Sequence, residues 1–224
     1  MARFEKNGAG TLVRGSSVGI ESGKAWAINY AIELDSNWCT RMATIELGDS
    51  KRLKVRSNGS GRWTINGERR PLLDGCLDLD LEASLVTNMA PVHRLSLRVG
   101  QRSPAPAVYV RTRSLKVERL EQTYLRMPDA NGRVVFDYDA PRFSYRAALQ
   151  FARDGLVEVY PQIGERRLLR RTVSQNGEER QRRLDGPGRP KHDAGLDSRP
   201  TEEATRVDVL QARADSAFAQ RTQC

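Results

Sequence analysis

The sequence predicts an all-β protein, a mostly antiparallel sheet followed by a disordered charged tail. Three observations predict it: apolar residues alternate with polar ones in run after run, hairpin-closing dipeptides separate the runs, and the pattern stops near residue 171. Successive side chains of a strand point to opposite faces, so a period of two marks a half-buried strand. In 25–34, Trp26, Ile28, Tyr30, Ile32 and Leu34 share one face, while Ala25, Ala27, Asn29, Ala31 and Glu33 share the other. Leu53 and Val55 alternate with Arg52, Lys54 and Arg56, and Leu77, Leu79 and Leu81 with Asp78 and Asp80. Phe143, Tyr145, Ala147, Leu149 and Phe151 alternate with Ser144, Arg146, Ala148 and Gln150.

Between these runs stand Asn58-Gly59, Asn66-Gly67, Asp74-Gly75, Asn131-Gly132 and Asp154-Gly155, dipeptides that close β-hairpins. Alternation and turns together place strands near 11–20, 24–34, 38–47, 51–57, 61–65, 76–82, 93–99, 107–113, 115–125, 133–138, 142–151 and 156–160. No helical pattern is left to cover a second layer. The sheet is therefore expected to curl around its own apolar face as a barrel, half-barrel or roll, with a flat sandwich as the competing arrangement.

Composition divides the chain at about residue 170. Residues 1–170 carry nearly all the large apolar side chains, whereas 171–224 contain no Trp, Tyr or Ile and only Phe218. The segment 171–224 reads as a disordered charged tail, with a short helix possible near 201–219. The net charge is +9, and the tail's ten Lys and Arg nearly balance its nine Asp and Glu, so the excess belongs to the β domain. Such an excess favours anionic partners without choosing among nucleic acid, acidic lipid and acidic protein. Cys39, Cys76 and Cys224 form no Cys-x-x-Cys pair and are expected as reduced thiols. The charged start, Met1 to Lys6, has no apolar core of a leader, and no run approaches a membrane span, so a cytoplasmic location is expected.

Few motifs point to chemistry. Gly15-Ser16-Ser17-Val18-Gly19 matches the Gly-x-Ser-x-Gly turn of hydrolases, but a strand follows it where a helix is required. The two histidines are His93, at an expected strand start, and His192 in the tail, so a serine-rich bend is the better account. Asp74, Asp78 and Asp80 place carboxylates close together, and Asp78 and Asp80 must share a face. A pair of acids could hold a cation or do acid–base work, but the expected role is an outward polar face beside abundant arginine. Zinc, metals in general and cofactors are not expected from so few histidines and unspaced cysteines. Cationic stripes recur at Arg52, Lys54 and Arg56, at Arg94 and Arg98, and at Arg111 and Arg113 beside Tyr109. They could follow a nucleic-acid backbone with the tyrosine as a stacking platform, or simply be a solvated face. Trp26, Trp38 and Trp63 are core residues by composition; were the sheet to enclose a lumen, inward aromatics would line it and suit a greasy ligand.

One stretch is more specific. Gly61-Arg62-Trp63-Thr64, Pro71, Leu73-Asp74-Gly75-Cys76-Leu77-Asp78-Leu79-Asp80-Leu81, Thr87-Asn88 and Pro91 to Leu95 resemble the "putative glycolipid-binding" domain family of bacterial proteins. Asp35-Ser36-Asn37-Trp38, Thr40-Arg41, Val108-Tyr109-Val110, Gln122, Tyr124, Asp154-Gly155-Leu156-Val157 and Tyr160-Pro161 extend the resemblance over most of 1–170. It implies a long, strongly curved antiparallel sheet, a spiral β-roll or half-barrel like the carriers that shield lipoprotein acyl chains. It also implies a strand ahead of Ala2-Arg3-Phe4-Glu5 in other members, so that one sheet edge is expected to be unpaired here.

The leading expectation is a non-enzymatic protein that holds a lipid or glycolipid in the concave face of the sheet. Trp38 and Trp63 would line that face, and Arg41, Asn88, Arg94 and Tyr109 would meet a polar head. No catalytic residue is assigned. The alternative is a nucleic-acid-binding β module using the cationic stripes.

Overall fold

A computed structural model describes residues 2–8, 10–48, 51–166, 206–207 and 209–210. The chain divides into one unit of residues 1–167 with 204–224 and a second, 168–203, which lies outside the described residues. The expected disorder of 171–224 therefore falls almost wholly outside them. Of the helix expected near 201–219, only Arg206, Val207, Val209 and Leu210 are described, as two short strands.

The fold is all-β, predominantly antiparallel and open. Strands β1 (Ala2–Asn7), β2 (Gly10–Glu21), β3 (Lys24–Asp35), β4 (Thr40–Leu47), β5 (Lys51–Ser57), β6 (Trp63–Ile65) and β7 (Glu68–Arg69) form an antiparallel meander. Then come β8 (Asp78–Leu81), a 3-10 turn at Leu85–Asn88 and the single helix among the described residues, α1 (Met89–Leu95). Strands β9 (Arg102–Pro104), β10 (Ala107–Val110), β11 (Val117–Leu120), β12 (Thr123–Ala130), β13 (Arg133–Ala140), β14 (Tyr145–Phe151), β15 (Val157–Tyr160) and β16 (Gly164–Arg166) follow. The last two are β17 (Arg206–Val207) and β18 (Val209–Leu210).

Hydrogen bonding sorts these strands into three sheets. The first runs β17-β1-β2-β3-β4-β5-β6-β7, the third runs β18-β16-β15-β14-β13-β12-β9, and a small middle sheet, β11-β10-β8, contains the one parallel pair among the described strands. The edge of β1 expected to be unpaired carries the two-residue pairing with β17. The expected strand 115–125 is two strands, because the chain leaves the middle sheet after Leu120 and enters the third at Thr123. Type I′ geometry explains two of the hairpins: Asn66-Gly67 (φ 50 and 90) and Asn131-Gly132 (φ 53 and 74) both need positive φ at consecutive residues.

The middle sheet is buried on both faces, which decides where the chemistry lies. Leu79, Leu81, Val108 and Val110 belong to a first core with Ile28, Ile45, Val55 and Trp63. Tyr109 and Leu120 belong to a second with Tyr124, Phe136, Tyr138, Leu149, Phe151 and Tyr160. Alternation puts Asp78 and Asp80 on the Tyr109 side, and the parallel register sets Asp80 directly beside Tyr109. The outward polar face expected for these acids is thus overturned: the alternation was read correctly, but a second core covers the side that was taken for solvent.

The expected strand 93–99 is also corrected. Met89–Leu95 is helical, with Met89 and Val92 buried three residues apart. Pro91 is tolerated because it lies in the first helical turn, where its missing N–H has no partner to lose. The run Val92, His93, Arg94, Leu95 carries too few residues to distinguish alternation from a single helical turn.

The Gly-x-Ser-x-Gly match has a packing explanation. Gly15 pairs with Tyr30 and Gly19 with Trp26 across β2 and β3, and each ring lies over its glycine so closely that a Cβ would overlap it. The glycines therefore seat two aromatic rings across a strand, a device known to rescue glycine in sheets. Gly15→Val is expected to cost about 1–3 kcal/mol by overpacking against Tyr30, read as a lower urea midpoint with an unchanged slope.

Candidate functional site

The site is built from the bottom of β8 upward. Asp78 is 1% exposed, and both its carboxylate oxygens accept from one guanidinium: Arg94 Nε donates to Oδ1 (3.1 Å) and Nη2 to Oδ2 (2.5 Å). Burial pushes the Asp78 carboxyl up, and Arg94 pulls it back only in part. Helix α1 supplies that arginine and is itself pinned at the neighbouring residue. His93 stacks on Trp38 (centroids 4.0 Å, planes 11° apart) and donates from Nε2 to the Asp154 carbonyl (3.1 Å). Burial lowers the His93 pKa, which keeps the imidazole neutral in that stack.

Asp80, two residues on, is treated differently. The Thr87 hydroxyl lies 3.0 Å from Oδ1 and 2.8 Å from the Ser84 carbonyl, so its one proton is shared between the two, and among the described residues no lysine or arginine forms an ion pair with Asp80. Burial pushes its pKa up to about 6, the Thr87 hydrogen bond opposes this, and the carboxylates of Glu82 and Asp78 add to it. Buried carboxylates are ordinarily paired, because an uncompensated charge in a low-dielectric interior is costly. A strongly shifted acid without a counter-cation is a candidate functional group.

Tyrosines surround it. Tyr124 and Tyr138 meet edge to face at 5.1 Å, and Tyr138 and Tyr160 at 6.0 Å. Asn88 donates to the Tyr124 hydroxyl (3.0 Å), Tyr138 donates to Gln122 Oε1 (2.8 Å), and Tyr109 donates to Glu82 Oε1 (2.9 Å). Burial raises all four phenols, and the Asp80 charge raises them further. They remain protonated hydroxyls, and their rings, 0–7% exposed, pack in the second core on the side of β8 that carries Asp80. That combination is suited to a ligand bearing hydroxyl groups on an otherwise apolar frame.

Residues 1–166 match a family described as "Putative glycolipid-binding". The chain belongs to this family. It is also similar to the crystal structure of a DUF1089 family protein from Pseudomonas aeruginosa, with 26% identity and a TM-score of 0.64 over 75% of this chain and 91% of that one. No curated protein matches.

Within this glycolipid-binding family fold, three of the six residues expected to bind ligand converge on the acid–tyrosine cluster: Asn88, Arg94 and Tyr109. They are interior groups engaged by Tyr124, Asp78 and Glu82, and Asn88 and Tyr109 are buried. Trp38 sits one contact away through His93, half-buried with φ 64. Trp63 is 0% exposed, and its indole donates to the Cys76 carbonyl (2.8 Å); it is part of the first core and lines no open face. Arg41 is exposed, 3.6 Å from Asp35, and lies over Gly59.

The cationic stripes separate in the same way. Arg52, Lys54 and Arg56 stand exposed on β5, and Arg98 and Arg113 are exposed. Arg94 and Arg111 are not surface charges: Arg111 is paired with Glu118 (3.2 Å) and Glu82 (3.9 Å). Tyr109 faces the second core and offers no stacking platform to solvent. Cys39 and Cys76 are free thiols, and burial pushes Cys76 up to about 11; Cys224 lies outside the described residues. Among the described residues no cluster of potential metal ligands occurs, and no helix is long and apolar enough to cross a membrane.

Sequence reasoning did not assign to the site Thr87, which hydrogen-bonds Asp80, or Tyr124, Tyr138 and Tyr160, whose phenols its charge raises. A signal was present. The strand Asp78–Leu81 is followed, after Glu82, by the apolar stretch Ala83 to Val92, interrupted only by Ser84, Thr87 and Asn88. Acids beside so long an apolar run have little surface to face.

Proposed function

We propose that this chain binds a glycolipid without transforming it, and that the sugar head is received at Asp80. The observation that carries the reading is the Asp80 carboxylate, raised to about 6, held among four tyrosines and given a single donor by Thr87. Its remaining acceptor capacity matches the hydroxyls of a sugar, Asn88 adds an amide, and the tyrosine rings match the apolar face of a pyranose. The family description supports the same ligand class. Binding is favoured over acid–base catalysis because Asp78, the second carboxylate on that face, has both oxygens taken by Arg94.

Native mass spectrometry of protein purified from its own host tests the reading first; a co-purifying lipid with a sugar head is the expected result. Titration with an alkyl glucoside then assigns the site. Asp80→Asn is expected to weaken that probe by about 10–100-fold, the worth of a hydrogen bond to a charged group, and to leave a fatty acid of equal chain length unaffected. Recovery of empty protein together with no uptake of the glucoside would end the proposal.

A further inference from the structure

The β2–β3 hairpin outruns β4, which pairs with β3 only from Ile28 onward. On that side Lys24 to Ala27, paired with Glu21 to Val18, run on past the sheet as a two-stranded ribbon closed by Ser22-Gly23. Such ribbons are marginally stable in water and gain little from exposing aliphatic groups. Yet Val18 is 70% and Ile20 67% exposed, on the outer face, directly opposite Ala27 and Ala25.

The charged residues on the rest of that outer face are five cations and three carboxylates. Register carries the face through Arg3 and Arg14 to Arg52, Lys54 and Arg56, against the carboxylates of Glu5, Glu33 and Glu46. Arg3 and Arg14 are met by Glu5 (3.3 and 3.9 Å), and Arg52 by Glu46 (3.4 Å). Lys54 and Arg56 have no carboxylate partner among the described residues. No aromatic side chain lies on this face between β1 and β5, so it lacks the stacking platforms that single-stranded nucleic acid requires.

We infer that this outer face docks onto the surface of an anionic lipid bilayer, with Val18 and Ile20 entering the headgroup boundary and Lys54 and Arg56 meeting lipid phosphates. Aliphatic insertion and basic attraction are the two contributions that hold peripheral proteins on such surfaces, and here both lie on one face. This surface is separate from the Asp80 cluster and does not depend on the ligand proposed for it.

Vesicle co-sedimentation of the full chain tests the inference, using phosphatidylcholine alone and phosphatidylcholine with about a third phosphatidylglycerol at low salt. Val18→Thr with Ile20→Thr keeps β-branching, and Lys54→Glu with Arg56→Glu reverses the unpaired charges; Val99→Asp alters an exposed aliphatic elsewhere as a control. Unchanged melting temperatures confirm that each variant folds. The expected result is binding to the anionic vesicles only, weakened at least tenfold by each double substitution and unaffected by Val99→Asp. Binding to neither vesicle, or binding indifferent to the Val18 and Ile20 substitutions, would overturn it. So would a wild-type dimer abolished by Ile20→Asp without vesicle binding, or affinity confined to single-stranded RNA.

Discussion

Asp80→Asn is expected to make the protein more stable at pH 7. The carboxyl is raised to about 6 in the folded chain, against roughly 3.9 for an unperturbed aspartate. An acid raised on folding contributes stability that is intact below the unfolded value and is lost as pH climbs through the folded one. Wild type therefore loses stability between about pH 4 and pH 6, and the loss persists at neutral pH. Asparagine keeps an acceptor for Thr87 and has no charge to bury. A rise of that size corresponds to nearly ~3 kcal/mol, reduced to about 2 kcal/mol because the side chain is partly exposed. The variant should melt about 4–8 °C higher at pH 7, and the difference should vanish near pH 4. Thermal unfolding of both proteins across that range measures it. A carboxylate retained at a cost in stability is what a binding group looks like; a neutral or destabilising result at pH 7 would assign Asp80 to the fold instead.

Arg94→Ala is expected to act in the opposite direction and more strongly. Asp78 has almost no contact with solvent, and Arg94 supplies both of its hydrogen bonds. Removing the guanidinium strands a carboxylate in the second core, which costs about 3–5 kcal/mol in comparable buried pairs. Burial already raises Asp78, so without Arg94 the carboxyl rises further and can escape by protonation. The deficit should therefore be larger at pH 8 than at pH 5, as read from urea midpoints. Replacing both partners, Arg94→Met with Asp78→Leu, should recover most of the loss, because an apolar pair leaves nothing unpaired. A uniform deficit at both pH values would point to lost packing of the Arg94 stem.

Local pattern made the amino-terminal meander legible. The observed bounds of β2, β3 and β5 fall within one residue of those expected, because each strand has one wet and one dry face and alternation reports such strands directly. At Asp78–Leu81 it located the strand but not the burial of the acid face, because both faces are covered; at Met89–Leu95, with room for barely two turns, it read a helix as a strand.

The ligand residues divide along the same line. All six lie in the stretches that carry the resemblance; Asn88, Arg94 and Tyr109 converge, whereas Trp63, offered as an inward aromatic lining a lumen, is core. Tyr124, Tyr138 and Tyr160 arrive from a different sheet than β8, and their meeting with Asp80 depends on how the second core closes over the middle strands.

What the amino-acid order determined by itself is the class of the protein: alternating runs, hairpin dipeptides and a change of composition near residue 170 require a sheet and a boundary, since side-chain period and turn geometry are properties of a few consecutive residues. Tertiary structure alone decided that Asp78 and Asp80 face an interior, that one received a guanidinium and the other a threonine, and that Val18 and Ile20 were left in solvent. Burial is a relation between segments far apart in the chain, and a carboxylate's pKa follows what packs against it.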